Sequence, residues 1–231
     1  MDDIQNESMK PASHYEYVVE NVDPSFAAKV KERALELMNQ MEGWCSPQKG
    51  AILVDLVLKV KPKKILEIGV WGGKSYIPMA YALKVNGMGI IYGIDPWESS
   101  ESVKEIMNDA NRAFWGWADH NAVMQGLIHK IGLFELGDQT KLMKVTSEAA
   151  EPIYDIDILH IDGNHSDKTS YHDVTKWVPY VRKGGWIIFD DMTWHENGMD
   201  TTARAVEWLN VNCMKFAQFS DSCVWGIWVK P

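Results

Sequence analysis

Three carboxylates follow two short apolar runs of the sequence. Asp162 comes directly after the run 156–161, and Asp190 and Asp191 come directly after the run 186–189. Both runs have the length and composition of buried strands. If these strands are neighbours in a parallel sheet, the three carboxylates converge in one crevice and repel one another. They then need raised pKa values or a bound cation, and all-oxygen ligands suit Mg²⁺ or another divalent cation.

A histidine in the loop after Asp162 extends this candidate site. A neutral imidazole at His165 could accept the proton of an attacking hydroxyl, and a cation on the carboxylates would lower the pKa of that hydroxyl. We therefore predict His165 as the general base, with Asp162 beside it in the catalytic set. His195 is a second candidate base. In the alternative without chemistry, Asp162 caps the next helix and Asp191 is a solvated turn residue.

A glycine-rich loop forms the second candidate site. Glycine stands at three of the five positions 69–73, between the apolar run 65–68 and a helical pattern that starts near Lys74. Such a turn presents backbone N–H groups to a ligand at a helix N-terminus. The spacing does not match the dinucleotide motif, and Ile68 stands where a P-loop needs its first glycine. Because residues 73–75 match the second half of a P-loop, a nucleotide phosphotransferase remains an alternative.

Two acidic residues at strand ends indicate which ligand the loop binds. The carboxylate of Glu67, facing the turn, would repel a pyrophosphate but suits a cationic ligand. S-adenosylmethionine carries a sulfonium, an α-ammonium and ribose hydroxyls, and no phosphate. Asp95 ends the next apolar run, where an acidic residue can accept from both ribose hydroxyls. Together these residues favour S-adenosylmethionine as the cofactor; the alternative is that both are merely strand-end polar residues.

Strand and helix patterns alternate through most of the chain, which is typical of an α/β protein. The first two strands and the helix between them predict a parallel βαβ unit, and the last two strands predict an antiparallel pair. The predicted strands are 65–69, 89–95, 141–145, 156–162, 186–191, 215–219 and 224–230. Two predicted helices begin at Asp23-Pro24 and at Ser46-Pro47. The other predicted helices cover 74–84, 100–114, 119–131, 167–181 and 200–211, and a short helix begins at Ser147.

The length fits a single domain over residues 1–231. Within it, residues 1–45 form an N-terminal tail and helix that are a candidate lid. Residues 97–140 form an enlarged, aromatic-rich connection, which we interpret as a candidate substrate cap. Packing of the same aromatic side chains against the sheet edge is the alternative.

The composition narrows the classes of partner. A net charge of −9 argues against nucleic acid or an anionic membrane as the main partner. No apolar run reaches the length of about 18 residues that a membrane span needs. The three cysteines lack metal-site spacing and are interpreted as reduced thiols. The first residues of the sequence are polar and acidic, unlike a signal peptide. Together with the reduced cysteines, they predict a cytoplasmic protein.

Four segments together resemble class I S-adenosylmethionine-dependent methyltransferases. They are 65–75, 93–97, 159–166 and 183–191. The most similar group is the bacterial small-molecule O-methyltransferases, which include macrolide-sugar methyltransferases; catechol O-methyltransferase is more distant. The resemblance implies a Rossmann-like, doubly wound sheet of seven strands in the order 3-2-1-4-5-7-6, with strand 7 antiparallel and helices on both faces. It also implies a hydroxyl of a small molecule, such as a sugar or secondary metabolite, as acceptor, and a homodimer is compatible with it.

The resemblance assigns roles to individual residues. Those implied to line the methionine part of the donor are Glu67, Gly69, Trp71 and Ser75. Asp95 is implied at the ribose, Ser147 and Glu148 near the adenine, and Trp44 and Cys45 over the donor, with Asp162 beside its methyl group. The implied metal ligands are Asp162, Asp190 and Asp191, and the implied base is His165. Catechol enzymes carry lysine at the position of the base, so histidine fits the sugar-modifying branch better. A noncatalytic S-adenosylmethionine-binding protein remains an alternative.

Overall fold

The computed structural model describes residues 22–105 and 108–231. Residues 1–21 of the predicted N-terminal tail lie outside the described residues. Among those described, seven strands form one sheet in the order β3-β2-β1-β4-β5-β9-β8. These strands are β1 (Lys64–Ile68), β2 (Ile90–Asp95), β3 (Thr140–Lys144), β4 (Ile156–Ile161), β5 (Val181–Phe189), β8 (Met214–Ser220) and β9 (Val224–Val229). β6 (His195–Glu196) and β7 (Met199–Asp200) form a separate two-stranded ribbon.

The sheet confirms the predicted topology. β1 to β5 pair in parallel, whereas β9 pairs antiparallel with both β5 and β8. β8 and β9 are the sixth and seventh strands of this sheet along the chain, so the order is the expected 3-2-1-4-5-7-6. In the described part of the chain, no helix is long and apolar enough to cross a bilayer.

Helices cover both faces of the sheet. They are α1 (Pro24–Met38), α2 (Pro47–Val60), α3 (Tyr76–Asn86), α4 (Ser99–Ser102), α5 (Asp109–Trp117), α6 (His120–Leu133), α7 (Asp167–Trp177) and α8 (Ala203–Asn212). Alternate strand residues feed two cores, because successive side chains of a strand point to opposite faces. Ile65 packs in the core with α1 to α3, and Leu66 packs in the core with α7 and α8.

Two helix starts follow the predicted caps. The carboxylate of Asp23 accepts hydrogen bonds from the backbone N–H groups of Ser25 and Phe26, 2.8 and 2.9 Å away. The hydroxyl of Ser46 accepts from the backbone N–H of Lys49 at 3.0 Å. Each cap satisfies N–H groups that have no partner inside the helix, and a proline in the first turn fixes the backbone. The start of α2 is therefore well defined.

Three predicted elements differ from the structure. The helix expected over 100–114 is two helices, because Asn108 caps a new one by accepting from the backbone N–H of Ala110. The short helix expected from Ser147 is only a turn. The helix expected to reach 181 ends at Trp177, and β5 already begins at Val181. A 3₁₀ turn over Val178–Tyr180 separates the two, and Gly184, inside β5, adopts a φ of 68°.

Candidate active site

The strand register brings the candidate residues to one edge of the sheet. Ile68 of β1 pairs with Ile94 of β2 and with Ile161 of β4, and Ile161 pairs with Phe189 of β5. The residues that follow these four positions are Gly69, Asp95, Asp162 and Asp190. In parallel α/β sheets, ligands bind outside the carboxyl ends of the strands. The predicted convergence of the two sites at this edge is therefore present.

Gly69 allows the loops after β1 and β4 to touch. A Cβ atom at this position would lie 2.0 Å from the carbonyl oxygen of Asp162, and the φ of Gly69 is +83°. The backbone N–H of Asp162 donates to the carbonyl of Ile68 at 2.8 Å on the same side. Only glycine combines this backbone conformation with such a close approach. The glycine loop, residues 69–75, thus lies directly against the start of the acidic crevice.

Asp95 fixes the conformation of the glycine loop. Its Oδ2 accepts hydrogen bonds from the backbone N–H groups of Val70 and Trp71 at 3.0 and 2.9 Å, and its Oδ1 accepts from Trp97 at 2.8 Å. Trp71 and Trp97 have φ values of +47° and +41°, which are unusual for residues with a side chain. The buried carboxylate of Asp95 compensates for this strain. Its role in the structure is therefore to hold the loop, in addition to its predicted contact with a ribose.

Glu67 lies under the loop and is fully buried. Its carboxylate accepts a hydrogen bond from the hydroxyl of Ser75 at the start of α3. Its Oε1 lies 3.3 Å from Nδ1 of His160 on β4. Burial raises the pKa of Glu67 to about 8, and Ser75 and Lys49 oppose that rise. Oε2 is buried and has no hydrogen-bond partner among the described residues.

Lys49 reaches into the crevice from the first turn of α2. Its ammonium contacts Oδ2 of Asp190 and lies 3.0 Å from Nε2 of His160. Burial, followed by the charge of Lys49, lowers the pKa of His160 to about 3, so this imidazole is neutral. A neutral ring accepts at Nε2 when Nδ1 carries the proton. The side chains of His160, Lys49 and Asp190 are therefore in direct polar contact, and Glu67 lies beside them.

His165 and Asp191 form a second pair in the crevice. Nε2 of His165 lies 3.0 Å from Oδ2 of Asp191. The ring of Trp194 packs on the imidazole with a centroid distance of 4.7 Å, and the hydroxyl of Thr201 donates to the carbonyl of His165 at 2.6 Å. Because Asp191 occupies Nε2, the neutral tautomer leaves Nδ1 as the nitrogen that can accept a proton.

Ser147, in the turn after β3, contacts Asp173. The hydroxyl of Ser147 donates to Oδ1 of Asp173 on α7 at 2.5 Å. Burial raises the pKa of Asp173 to about 7, although Ser147 and Lys176 oppose the rise. Oδ2 of Asp173 is buried and has no hydrogen-bond partner in the described ranges. Asp173 thus places a buried carboxyl group at the same edge of the sheet as Asp162.

These groups surround a cavity of about 610 Å³. Aromatic side chains form one wall, where the rings of Trp71 and Trp115 lie 4.9 Å apart and those of Trp44 and Phe114 lie 5.5 Å apart. Trp44 is 63% exposed although it lines the cavity. The wall thus combines the segment before α2 with the connection after β2. Trp97, by contrast, is buried in the core.

All but two of the predicted site residues, Glu67 and His195, line this cavity. The residues that line it are Trp44, Cys45, Gly69, Trp71, Ser75, Asp95, Ser147, Glu148, Asp162, His165, Asp190 and Asp191. Glu67 lies beneath it, and His195 pairs with Asp200 on the ribbon, 2.9 Å away. The sequence did not predict Lys49 or Asp173 as site residues. The spacing of apolar residues predicts a helix but does not indicate which of its charged residues are buried.

The predicted metal ligands do not form one set. Among the described residues, two groups have ligand atoms within 4.8 Å of one another. One is His160, Asp162 and Asp190, and the other is Asp162, His165 and Asp191. Asp190 and Asp191 thus fall into different groups.

An open sheet of this order, with a glycine loop and acidic strand ends at its carboxyl edge, defines a Rossmann-like methyltransferase architecture. A family model described as "Methyltransferase domain" matches residues 66–192. This match covers more than half of the sequence, and the chain belongs to this methyltransferase family. The resemblance seen in the sequence is thereby confirmed.

Individual proteins match this chain at low sequence identity. Tricin synthase 1 of Oryza sativa subsp. japonica is 26% identical over 203 residues, covering 84% of this chain and 72% of that protein. An uncharacterised protein of Sinorhizobium fredii is 27% identical over 150 residues, covering 62% of this chain but only 14% of that protein. The crystal structure of an O-methyltransferase from Bacillus cereus in complex with SAH matches with a TM-score of 0.60 at 18% identity, covering 93% and 96% of the two chains.

Proposed function

We propose that this chain transfers a methyl group from S-adenosylmethionine to a hydroxyl of a small molecule. The observation that carries the proposal is that the glycine loop and the His165–Asp191 pair open into the same cavity. Two similar proteins support the chemistry: the Bacillus cereus structure is an O-methyltransferase with SAH bound, and the rice relative is a synthase of tricin by name. SAH is the product that remains when the donor has lost its methyl group.

The donor would lie along the glycine loop. A carboxylate beside the loop, such as that of Asp95, suits a ligand with polar groups and a positive charge but no phosphate. The methionine part would then lie near Trp71 and Ser75, the ribose near Asp95 and the adenine near Ser147 and Glu148, all of which line the cavity.

His165 would act as the general base. The acceptor oxygen attacks the methyl carbon, the new O–C bond forms as the C–S bond breaks, and the sulfur leaves as a neutral thioether. The hydroxyl proton passes to Nδ1 of His165, because Nε2 faces Asp191. Asp191 stabilises the resulting imidazolium, as the acid of a catalytic triad does. The remaining contribution of the protein is alignment of donor and acceptor.

The acceptor would occupy the part of the cavity next to His165 and the aromatic wall. A cavity of about 610 Å³ has the size of sites for small molecules, including room beside a cofactor. The position of Trp44 and Trp115 on this wall supports the candidate lid and cap, since both segments contribute a ring. A sugar or a secondary metabolite remains the proposed class of acceptor.

The predicted divalent cation fits the residues poorly. Oδ2 of Asp190 and Nε2 of His160 already face the ammonium of Lys49, and Nε2 of His165 already faces Asp191. When bound in such a crevice, Mg²⁺ would polarise the acceptor hydroxyl.

The decisive experiment has two stages. Calorimetry of the full chain should show binding of S-adenosylmethionine and SAH but not of ATP; the opposite preference would favour a nucleotide enzyme. A screen with methyl-labelled donor against a cell extract should then yield a labelled small molecule whose methyl group is on oxygen. Donor binding without a labelled product, across extracts from several growth conditions, would point to a noncatalytic donor-binding protein.

A further inference from the structure

The acidic crevice contains a cation that belongs to the chain itself. Lys49 exposes 2% of its side chain and Asp190 exposes 3%, and the ammonium contacts the carboxylate directly. Removing an ammonium from water is unfavourable unless charged and hydrogen-bonding partners compensate. Asp190 provides the charge, and Nε2 of His160 lies 3.0 Å from the ammonium. Lys49 therefore supplies the positive charge that neighbouring carboxylates require.

The backbone of Lys49 is held from two sides. Its N–H donates to the hydroxyl of Ser46, and that hydroxyl in turn donates to Asp221 in the turn between β8 and β9. On the other side, a Cβ atom at Gly50 would lie 2.5 Å from Sδ of Met38 in α1. The first turn of α2 thus fits closely between α1 and the β8–β9 turn, which directs the lysine into the crevice.

Each group that could hold a metal conflicts with an existing contact. An ion on His160, Asp162 and Asp190 would lie beside the ammonium of Lys49, which already contacts His160 and Asp190, and like charges repel strongly at this range. An ion on Asp162, His165 and Asp191 would compete for the carboxylate of Asp191 with the imidazole of His165, whose Nε2 lies 3.0 Å from Oδ2 of Asp191. Oδ1 of Asp190 has no hydrogen-bond partner among the described residues, but an ion there would also lie beside the ammonium.

We propose that Lys49 is the resident cation of this crevice and takes the place of a divalent metal ion. The ammonium neutralises Asp190 and holds it at the end of β5, next to the predicted base. Lys49 is a positioning residue, since it acts through Asp190 and His160. The consequence for catalysis rests on the proposed function: methyl transfer by this chain needs no metal.

Binding of Mn²⁺, followed by electron paramagnetic resonance, tests the proposal without an acceptor. The full chain is compared with Lys49→Met, with the same variant carrying Asp190→Asn, and with Lys74→Met as a control. Lys74 lines the same cavity, so its replacement makes the same change of charge without touching Asp190. We expect no saturable Mn²⁺ binding by the wild type or by Lys74→Met. Lys49→Met should bind one Mn²⁺ at least about tenfold more tightly, and Asp190→Asn should abolish that binding.

Two outcomes would overturn the proposal. The first is one tightly bound Mn²⁺ in the wild type that Asp190→Asn removes. The second is a folded Lys49→Met variant, judged by circular dichroism, that binds Mn²⁺ no better than the wild type. If Lys49→Met does not fold, Mn²⁺ binding by the wild type alone tests the proposal. Donor binding by calorimetry on the same samples shows separately whether the proposed function holds. Once an acceptor is known, a chelated wild type should keep its rate, and restoration by Mg²⁺ of a lost rate would contradict the metal-free reaction.

Discussion

Nε2 of His165 lies 3.0 Å from Oδ2 of Asp191, although the two residues come from the loops after different strands. Burial alone would lower the pKa of His165, but the hydrogen bond and charge of Asp191 outweigh it and leave that pKa raised. Burial likewise acts to raise the pKa of Asp191, and the contact with His165 outweighs it and leaves that pKa lowered. The pair is thus arranged to stabilise a protonated imidazole, which is what a general base becomes after it has accepted a proton.

Replacing His165 tests its role as base. His165→Ala should lower the rate of methyl transfer by about 10²- to 10⁴-fold, because no group then accepts the hydroxyl proton. The wild-type rate should fall towards acid pH, since a protonated imidazole cannot accept a proton, and this dependence should disappear in the variant. Initial rates from pH 6 to 9 measure both effects.

His195→Ala is the matched control for this experiment. Its side chain is 56% exposed, pairs with Asp200 on the ribbon and does not line the cavity. The control should retain the wild-type rate. A His165→Ala variant with an unchanged rate would remove the assignment of the base.

The pair of Lys49 and Asp190 predicts strong coupling in stability. Either Lys49→Met or Asp190→Asn should lower the free energy of unfolding by roughly 3–5 kcal/mol, because each leaves the opposite charge buried without its partner. The double variant should lose much less than the sum of the two single losses. Urea unfolding of the four proteins measures this coupling, and additive losses would show that the contact is energetically unimportant.

Gly69 predicts a steric effect. Gly69→Ala should destabilise the fold by more than about 2 kcal/mol, since its Cβ would meet the carbonyl oxygen of Asp162 at 2.0 Å and its φ is positive. Donor binding should be lost as well. Gly126→Ala is the control: it makes the same change in α6, where a Cβ meets nothing within 4 Å, and should be neutral or stabilising. Thermal unfolding and donor calorimetry compare the two.

Asp173 predicts a pH dependence of stability. Burial raises its pKa from 3.8 to about 7 in the folded state, so the folded state binds a proton more tightly than the unfolded chain. The stability that this proton contributes is fully present below the pKa of Asp173 in the unfolded chain. It is lost as the pH rises to about 7, the pKa in the folded state. Unfolding of the donor-free protein should therefore show a loss of stability from pH 4 to 7 that is smaller in Asp173→Asn.

The control for this slope is Asp138→Asn, which changes an exposed carboxylate in the 3₁₀ turn before β3. It should keep the wild-type pH dependence. Glu67 has a raised pKa as well and contributes with the same sign, so Asp173→Asn is expected to reduce the slope rather than to abolish it. An unchanged slope in Asp173→Asn would show that this carboxyl ionises as it does in the unfolded chain.

The sequence by itself determined the sheet and most residues of the cavity. Strand patterns, turn glycines and acidic strand ends are local features, and in a parallel sheet the carboxyl ends of strands meet at one edge. Asp95, Asp162 and Asp190 could therefore be placed together without coordinates. The helix boundaries near 108 and 178 were less well predicted, because a single cap or proline there changes the element.

Only the tertiary structure decided how the charges in the crevice are paired. Lys49 and Asp190 are 141 positions apart, and their contact depends on how α2 packs against the end of β5. Asp190 contacts Lys49 and Asp191 contacts His165, although the sequence treats the two carboxylates as one pair of metal ligands. The partner of a buried charge is set by three-dimensional packing, whereas residue spacing reports only on neighbours within one element.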